Sequence, residues 1–363
     1  MKKNKAQAMA TILHQRGLSL IELMVSLTIG LILLAGLSLL FAEASRSHRE
    51  FSEASKQIEN GRFALQLLTD DMHVAGFYGR FSDLSTIATP VSEPDPCEVT
   101  STTTLHDSLP IHIQGYKPTG FATRPVVSAL CAPYLTTANL QPGSDVFVIR
   151  RADTSTLAAT DIPIANEAYI QASWAVEIEK GSNGSAIGIT QKADGSAATV
   201  LNKDGSAAQI RKYHVHVYFV APCSVPSGAG SICTGANDDG GKPIPTLKRL
   251  ELTSVGGTTV MNVVSLVEGI EMLKIDYGVD SDMDGSPNSY LRVPATIPAD
   301  WVNVVGANLY ILSRNPQLTA GYTDAKSYAM GLAGNYAPGG SYKRHVYNTS
   351  VRLSNPSMRR EIP

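Results

Sequence analysis

The sequence predicts an α+β protein in which one long N-terminal helix lies on a β-rich head. Three observations predict it. Residues 23–42 contain no charged side chain, a run long enough for a helix to cross a bilayer. Apolar and small residues then recur at heptad spacing to about Phe77. Beyond Gly79 that periodicity gives way to short alternating runs, in a chain with 30 Gly, 20 Pro and only 17 % charged residues. Such a composition favours sheet and turn over a helical bundle.

The first seventeen residues are a polar leader. Lys2, Lys3, Lys5 and Arg16 stand there without an acid, which favours a cytoplasmic N-terminus and an exported remainder. An ordinary secretory signal is cut after its apolar region and loses it. Here Gly17 lies before the apolar region, so a cut between Gly17 and Leu18 would keep residues 23–42 as an anchor. Glu22 is a lone carboxylate at the mouth of that run. Placing an ionised group in a span costs roughly 2.5–3.5 kcal/mol, so the acid asks for a positive partner. The α-amine freed on Leu18 of a neighbouring subunit would supply one. Ser26, Gly30, Gly36 and Ser38 leave small surfaces where helices can approach closely.

Past the span, Phe51, Ile58, Leu65 and Met72 recur every seven residues, and Ala54, Gly61, Leu68 and Ala75 follow three later. This stripe can face a sheet or a coiled-coil partner, and its small residues favour the sheet. Arg46, Arg49, Glu53, Lys56 and Glu59 are left for water. Expected strands cover 145–151, 168–172, 187–191, 211–221, 247–252, 266–278, 302–313 and 345–353, the last alternating Tyr347, Thr349, Val351 and Leu353 onto one face. A weak duplication, KADGSAA at 192–198 and KDGSAA at 203–208, marks two Asp-Gly turns of a surface meander. The Gly/Ser-rich stretch 225–241 reads as a loop. The organisation is a leader at 1–17, a helix at 18–78 and one head at 79–363.

Four cysteines, Cys97, Cys131, Cys223 and Cys233, all lie beyond the span, where an oxidising compartment permits two disulfides. Proximity favours Cys97–Cys131 and Cys223–Cys233 among the three pairings that four cysteines allow. Asp280, Asp282 and Asp284, closed by Gly285, form the D-x-D-x-D-G opening of a calcium loop. The twelfth position, which needs a bidentate glutamate, is Leu291. Ser286 and Asn288 could add ligands, with a last carboxylate from Asp276 or Asp300. Two readings stand: a Ca2+ site, or an acidic glycine-ended hairpin turn. His214 and His216 share one face of a strand, opposite Tyr213, Val215, Val217 and Phe219, and read as solvent-facing. Lys343, Arg344, Arg352, Arg359 and Arg360 make the C-terminal portion basic, either a solvated face or a docking surface for acidic neighbours. No nucleophile elbow, phosphate loop, dinucleotide fingerprint or zinc-protease motif occurs, and adjacent Asp70 and Asp71 point apart on a helix, so no enzyme is expected. Nor is a nucleic-acid footprint present.

The leader Arg16-Gly17-Leu18-Ser19-Leu20-Ile21-Glu22 resembles the class III leader of type IV prepilins and type II secretion pseudopilins, with Leu18 where Phe or Met is usual. Farther on, LVEGIEMLKIDYGVDSDMDG, then Trp301 with VNVVGANLYILSRN, then HVYNTSVRLSN resemble the carboxyl-terminal region of PilW minor pilins. The resemblance implies a pilin-like fold, cleavage after Gly17 by prepilin peptidase, N-methylation of Leu18 and assembly guided by Glu22. It further implies an inner-membrane subunit with a periplasmic head that joins the pilus tip. Its partners would be other minor pilins, the major pilin, a tip adhesin and the inner-membrane assembly machinery, supporting pilus biogenesis, adhesion and twitching motility. The rival expectations are a type II secretion pseudopilin and a membrane-tethered periplasmic binding module.

Overall fold

The computed structural model of the chain describes residues 19–361 apart from 80–83, 85, 86, 158–163, 174–186, 191–199, 203, 229 and 295–298. Two compact units divide after Ser52. Helix α1 runs from Leu20 to His73. In the first unit its apolar side chains from Leu20 to Phe41 are all exposed, and an apolar helix with no buried face needs a non-aqueous surrounding. The hydroxyls within it are satisfied locally: Ser26 Oγ donates to Glu22 O at 2.7 Å and Thr28 Oγ1 to Val25 O at 2.9 Å.

In the second unit the buried stripe of α1 is Gln57, Gly61, Ala64, Leu68, Asp71 and Met72. The heptad stripe is seated only in its later part: Gly61, Leu68 and Ala75 of its small-residue line and Met72 of the other are buried, whereas Phe51 and Ile58 are 74 % and 46 % exposed. The reason is proximity: at Gly61 an added Cβ would stand 2.2 Å from the Tyr347 ring, so that turn of the helix admits no side chain without movement. The helix also stops at His73, four residues before the expected Phe77. Gly76, at φ +69°, turns the chain and donates its amide to Arg150 O at 2.9 Å.

Among the described residues there are two main antiparallel sheets. The first has seven strands: β1 (Ile113–Tyr116), β2 (Val146–Ala152), β3 (Tyr169–Ala172), β4 (Ile187–Thr190), β5 (Ile210–Ala221), β6 (Thr246–Val255) and β7 (Thr258–Glu268). The second is ordered β13 (Arg344–Arg352), β10 (Val304–Arg314), β8 (Ile270–Val279), β9 (Ser289–Leu291). A short ribbon pairs β11 (Tyr328–Ala329) with β12 (Asn335–Tyr336). Two further helices are α2 (Thr102–Asp107) and α3 (Ser354–Glu361).

Strand alternation sorts side chains into two cores. Phe147, Ile149, Tyr218 and Val220 join Ala64, Leu68 and Met72 of α1 and, from the second sheet, Leu273, Ile275, Leu309 and Ile311. Their neighbours Val146, Val148, Val215, Val217 and Phe219 point the other way, beneath Leu105, Leu109, Leu135 and Leu140. β5 is thus buried on both faces. Each fully buried large side chain contributes roughly 1.5–3 kcal/mol, so the first sheet needs both covers. The second cover is the irregular segment between α1 and β2, tied by the Cys97–Cys131 disulfide; Cys223–Cys233 closes the Gly/Ser-rich loop at the end of β5. Both pairings are those that proximity favours.

Most expected strands are present within a residue or two. The exception is 266–278, which is not one strand but the end of β7 and all of β8, broken at Gly269. Gly269 has φ +75°, and a Cβ there would meet Arg314 O at 2.9 Å. The sequence hides this break because apolar residues run through it on both sides. β1 was also not expected. Its Gly115 lowers strand propensity, but that glycine makes room for the Tyr277 hydroxyl. Of the duplication, 192–198 lies outside the described residues; in the other copy Gly205, at φ +78°, closes a turn in which Asn202 N donates to Ser206 O at 2.7 Å.

Gly269→Ala should therefore destabilise the protein by roughly 1–3 kcal/mol through left-handed strain and backbone crowding. A urea-unfolding midpoint equal to the parent's would contradict this account of the β7–β8 break.

Candidate functional site

The sequence places its functional residues at the N-terminus. Gly17 and Leu18 lie outside the described residues. Ser19 precedes the first turn of α1, and its amide donates to Glu22 Oε2 at 3.0 Å. Ser-x-x-Glu at this point is half of a capping box: the carboxylate satisfies an amide that the helix itself cannot. Glu22 is exposed, with one oxygen engaged locally. It has the chemistry to receive a cation and the position to do so at the entry of an apolar helix.

In the head, charge is concentrated at buried joints. Asp71 on α1 accepts from Arg151 Nε at 2.6 Å, His216 Nδ1 at 2.7 Å and the Tyr218 hydroxyl at 2.7 Å. Burial alone would raise this carboxyl, but His216, Arg151 and Tyr218 together hold it well below its usual range. His216 is held below its ordinary value by burial, against the pull of Asp71, so the pair is a carboxylate receiving a neutral imidazole N–H. The solvent-facing expectation for the two histidines is thereby corrected. His216 is buried under α1, and His214, largely covered, lies 3.2 Å from Asp153 Oδ2. The helix turned its carboxylate onto a face that alternation alone assigned to water.

A second joint centres on Asp145, just before β2. It accepts from Lys274 Nζ at 3.0 Å, from Ile275 N at 3.0 Å and, on its two oxygens, from Arg292 Nη2 at 2.7 and 2.6 Å. Arg292 also reaches Asp276 at 3.3 Å. In a third, Arg344 lies between Glu271 at 2.6 Å and Asp324 at 2.8 Å, all three buried. Arg352 pairs with Glu361, and Arg360 with Asp280 at 3.0 Å. The expected basic C-terminal surface is therefore mostly internal wiring. Sequence proximity could not show this, because the partner acids come from strands up to 80 residues away.

The acidic loop connects β8 to β9, so it is a hairpin turn. Asp280 is buried and accepts from Met283 N at 2.7 Å, Gly285 N at 3.0 Å and Arg360 Nη1 at 3.0 Å. Burial would raise its carboxyl; Arg360 and the two amides lower it. Asn288 closes the turn, accepting from Ser281 N at 2.6 Å and donating to Asp282 Oδ2 at 3.0 Å. Oxygens of Asp280, Asp282 and Asp284 lie within 4.8 Å of one another. The first of these already has a fixed cation in Arg360. Asp276, suggested as a distant ligand, is engaged by Arg292 and by Leu332 N at 2.9 Å.

Two family models match the chain. Residues 12–38 match the prokaryotic N-terminal methylation motif, and residues 233–355 match type IV pilus-assembly protein W. Together the two matches support a type IV pilus-related pilin that carries a PilW-type region at residues 233–355. No curated protein matches it, and no solved structure does.

The matched regions of the pilin coincide with distinct physical tasks. The first contains Glu22 and much of the exposed apolar run, and the motif with its one apolar helix fits a membrane-anchored pilin. The second begins at Cys233 and contains β6 to β13, hence the whole second sheet and the acidic loop. Pilin-family domains are structural. Asp71, His216 and Arg151 fall outside both matched regions; the joint they form was missed in the sequence because Asp71 lies 80 and 145 residues from Arg151 and His216. The one available signal was an acid within an otherwise small and apolar helix stripe.

Two tests follow from the site. Burial, then Arg359, pushes His112 down to about 3, and burial, then His216, does the same to His214. The unfolded chain, with histidines near 6.5, takes up protons first as pH falls. Stability is thus full above pH 6.5 and lost progressively towards pH 3. Each such histidine contributes up to about 1.4 kcal/mol per pH unit in that window. Urea midpoints should fall on acidification and His112→Gln should flatten the slope; a flat parent profile would refute neutral burial. For calcium, binding at Asp280 requires the ion to replace Arg360. A calcium-dependent rise in Tm should then be larger in Arg360→Gln than in the parent, and no rise in either protein rules the ion out.

Proposed function

We propose that this pilin is a minor pilin that primes type IV pilus assembly and stands at the pilus tip with other minor pilins. The observation that carries the reading is Glu22, a lone carboxylate in the first turn of a helix whose apolar side chains from Leu20 to Phe41 are all exposed. A passive tether has no use for that charge. Cleavage after Gly17 by prepilin peptidase creates an amine on Leu18, which is then N-methylated. The amine and the carboxylate pair between subunits in the bilayer, where an unpaired charge costs roughly 2.5–3.5 kcal/mol.

Before assembly the subunit is held in the inner membrane with its disulfide-bonded head in the periplasm, a compartment that maintains such bonds. Small faces at Ser26, Gly30, Gly36 and Ser38 let neighbouring spans approach. The head, residues 79–363, is larger than the typical domain of ~50–250 residues, which suits a terminal position better than the repeat of a slender fibre. Its partners are other minor pilins, the major pilin, a tip adhesin and the inner-membrane assembly machinery. Adhesion and twitching motility follow through the fibre, without catalysis by this chain.

The decisive experiment is mass spectrometry of the mature N-terminus with two variants beside it. The parent should yield a methylated peptide starting at Leu18, Gly17→Ala should remain uncut in the membrane, and Glu22→Ala should be cut but fail to enter pili. Deletion should abolish surface pili and spare exoprotein secretion; the reverse would make the chain a type II secretion pseudopilin. A Glu22→Ala protein with full function would make it a tethered binding module.

A further inference from the structure

The second sheet ends on one side in β9, three residues long, and on the other in β13, nine residues long. The ladder between β13 and β10 runs without a bulge from the pair Gly306 and Arg352 to the pair Arg314 and Arg344. Its phase is fixed at both ends, where Leu353 N donates to Val305 O at 2.9 Å and Asn315 N to Lys343 O at 3.0 Å. An antiparallel ladder alternates. Residues 345, 347, 349 and 351 therefore turn their backbone groups to β10, and Val346, Asn348 and Ser350 turn theirs outward. Side chains close the two ends of that outer edge: His73 Nδ1 donates to Arg352 O at 3.1 Å, and the Tyr328 hydroxyl stands 3.4 Å from Arg344 O. Between them, among the described residues, the outward N–H and C=O groups of Val346, Asn348 and Ser350 have no partner in the chain. The elements around β13, namely β10, α1, the β11–β12 ribbon and α3, are described throughout.

Proteins usually blunt such an edge with lysine, proline or a bulge. Residues 345–351 contain no lysine, no proline and no acid, and Asn348 and Ser350 are exposed. Alternation sorts the side chains. Asn348 and Ser350 make one face polar, with Ser350 Oγ donating to Asn308 Oδ1 at 2.6 Å. Tyr347 and Thr349 are half-buried on the face towards α1, where Gly61 lies against the Tyr347 ring. Arg62, the next residue of α1, is exposed and has no carboxylate partner among the described residues. Its charge acts on the Tyr347 hydroxyl, opposing the rise that burial causes. A cation thus stands beside the middle of the open edge.

We propose that the β13 edge takes up an extended, acidic strand from a neighbouring pilus subunit, which pairs with the backbone of Val346, Asn348 and Ser350 and sets a carboxylate on Arg62. This is strand addition: main-chain hydrogen bonds hold the segment and alternate side chains select it. On the α1 face the incoming strand offers its carboxylate, with apolar neighbours, to Tyr347 and Thr349; on the other it offers polar side chains to Asn348 and Ser350. A second copy of β13 is a poor occupant. Antiparallel pairing about Asn348 would set Arg344 against Arg352 at both ends, and like charges directly opposite are destabilising. The inference rests on the pilus reading for the source of the strand, and on β13 alone for the mode of binding.

The test is photocrosslinking in intact cells from p-benzoylphenylalanine in place of Ser350 of the full-length chain, with the product identified by peptide mass spectrometry. A product joined to an extended, acidic segment of another pilus subunit is expected. Asn348→Pro removes an outward N–H and no ladder bond, so Tm should stay near the parent's while the product falls roughly tenfold or more. Asn348→Ala keeps that N–H and should leave the yield unchanged. Arg62→Glu should lower it to a similar extent, and it decides the matter if Asn348→Pro fails to fold. No product, a product with a second copy of this chain, or a yield indifferent to Asn348→Pro and Arg62→Glu overturns strand addition. The expected dependence on both residues with a partner from outside the pilus supports strand addition and overturns the pilus reading instead.

Discussion

The head is organised around a carboxylate on a helix. Asp71 is presented by α1 to two adjacent strands at once, receiving Arg151 from β2 and both His216 and Tyr218 from β5. The three donors share one sheet face because β2 and β5 pair in the register that sets Arg151 opposite His214 and Phe147 opposite Tyr218. A helix held only by Ala64, Leu68 and Met72 could slide or rotate among nearly equivalent apolar contacts. A buried anion with three fixed donors cannot move without leaving charge unpaired, at roughly 3–5 kcal/mol. Apolar packing therefore supplies the burial and Asp71 supplies the register. Gly61 and Ala64 permit the approach that brings the carboxylate within reach.

The same logic recurs where the two sheets meet. Asp145 accepts the amide of Ile275 and its own amide donates to Leu273 O at 2.9 Å. A residue at the edge of the first sheet thus satisfies backbone groups of the second, and Ser144 adds a bond to Leu273 N at 3.1 Å. Lys274 and Arg292 neutralise it. The sparse charges of this chain are consequently not a solvating coat; a large share sits inside, as paired joints between elements that hydrophobic contact alone would leave loosely specified. Such pairs need not add net stability, because desolvation offsets much of the attraction. Their effect is to fix which surfaces meet.

What could be read in the sequence was what depends on local pattern. The span, the spine, the turn at Asp204-Gly205, the two disulfides and most strand positions follow from periodicity, turn chemistry or short separations. What could not be read depends on partners remote in the chain. Alternation put His214 and His216 opposite Val215 and Val217, which is correct, but nothing local revealed that α1 covers the histidine face. The heptad stripe is seated where Gly61, Leu68, Met72 and Ala75 lie and is exposed at Phe51 and Ile58, a difference that the repeat itself does not show. The run 266–278 concealed a reversal at a single glycine, since both flanks are buried strand and look alike. The basic C-terminus was misjudged for the same reason: Arg344 and Arg360 are neutralised by acids from β8 and from the turn that follows it.

At the other end of α1 a similar accounting bears on Glu22. In the chain as described its carboxylate accepts one amide, that of Ser19. A capping contact of this kind is worth about 0.5–2 kcal/mol, less than the roughly 2.5–3.5 kcal/mol that an acid costs on entering a span. The deficit remains while the only donor is a neutral amide. A carboxylate has room for further donors once one oxygen is engaged, so a cation can join without breaking the cap. In the proposed assembly, the ammonium at Leu18 is adjacent in sequence to the capping residue, and every parallel span brings one. On that proposal the helix start is preorganised by Ser19 and electrostatically incomplete until subunits associate.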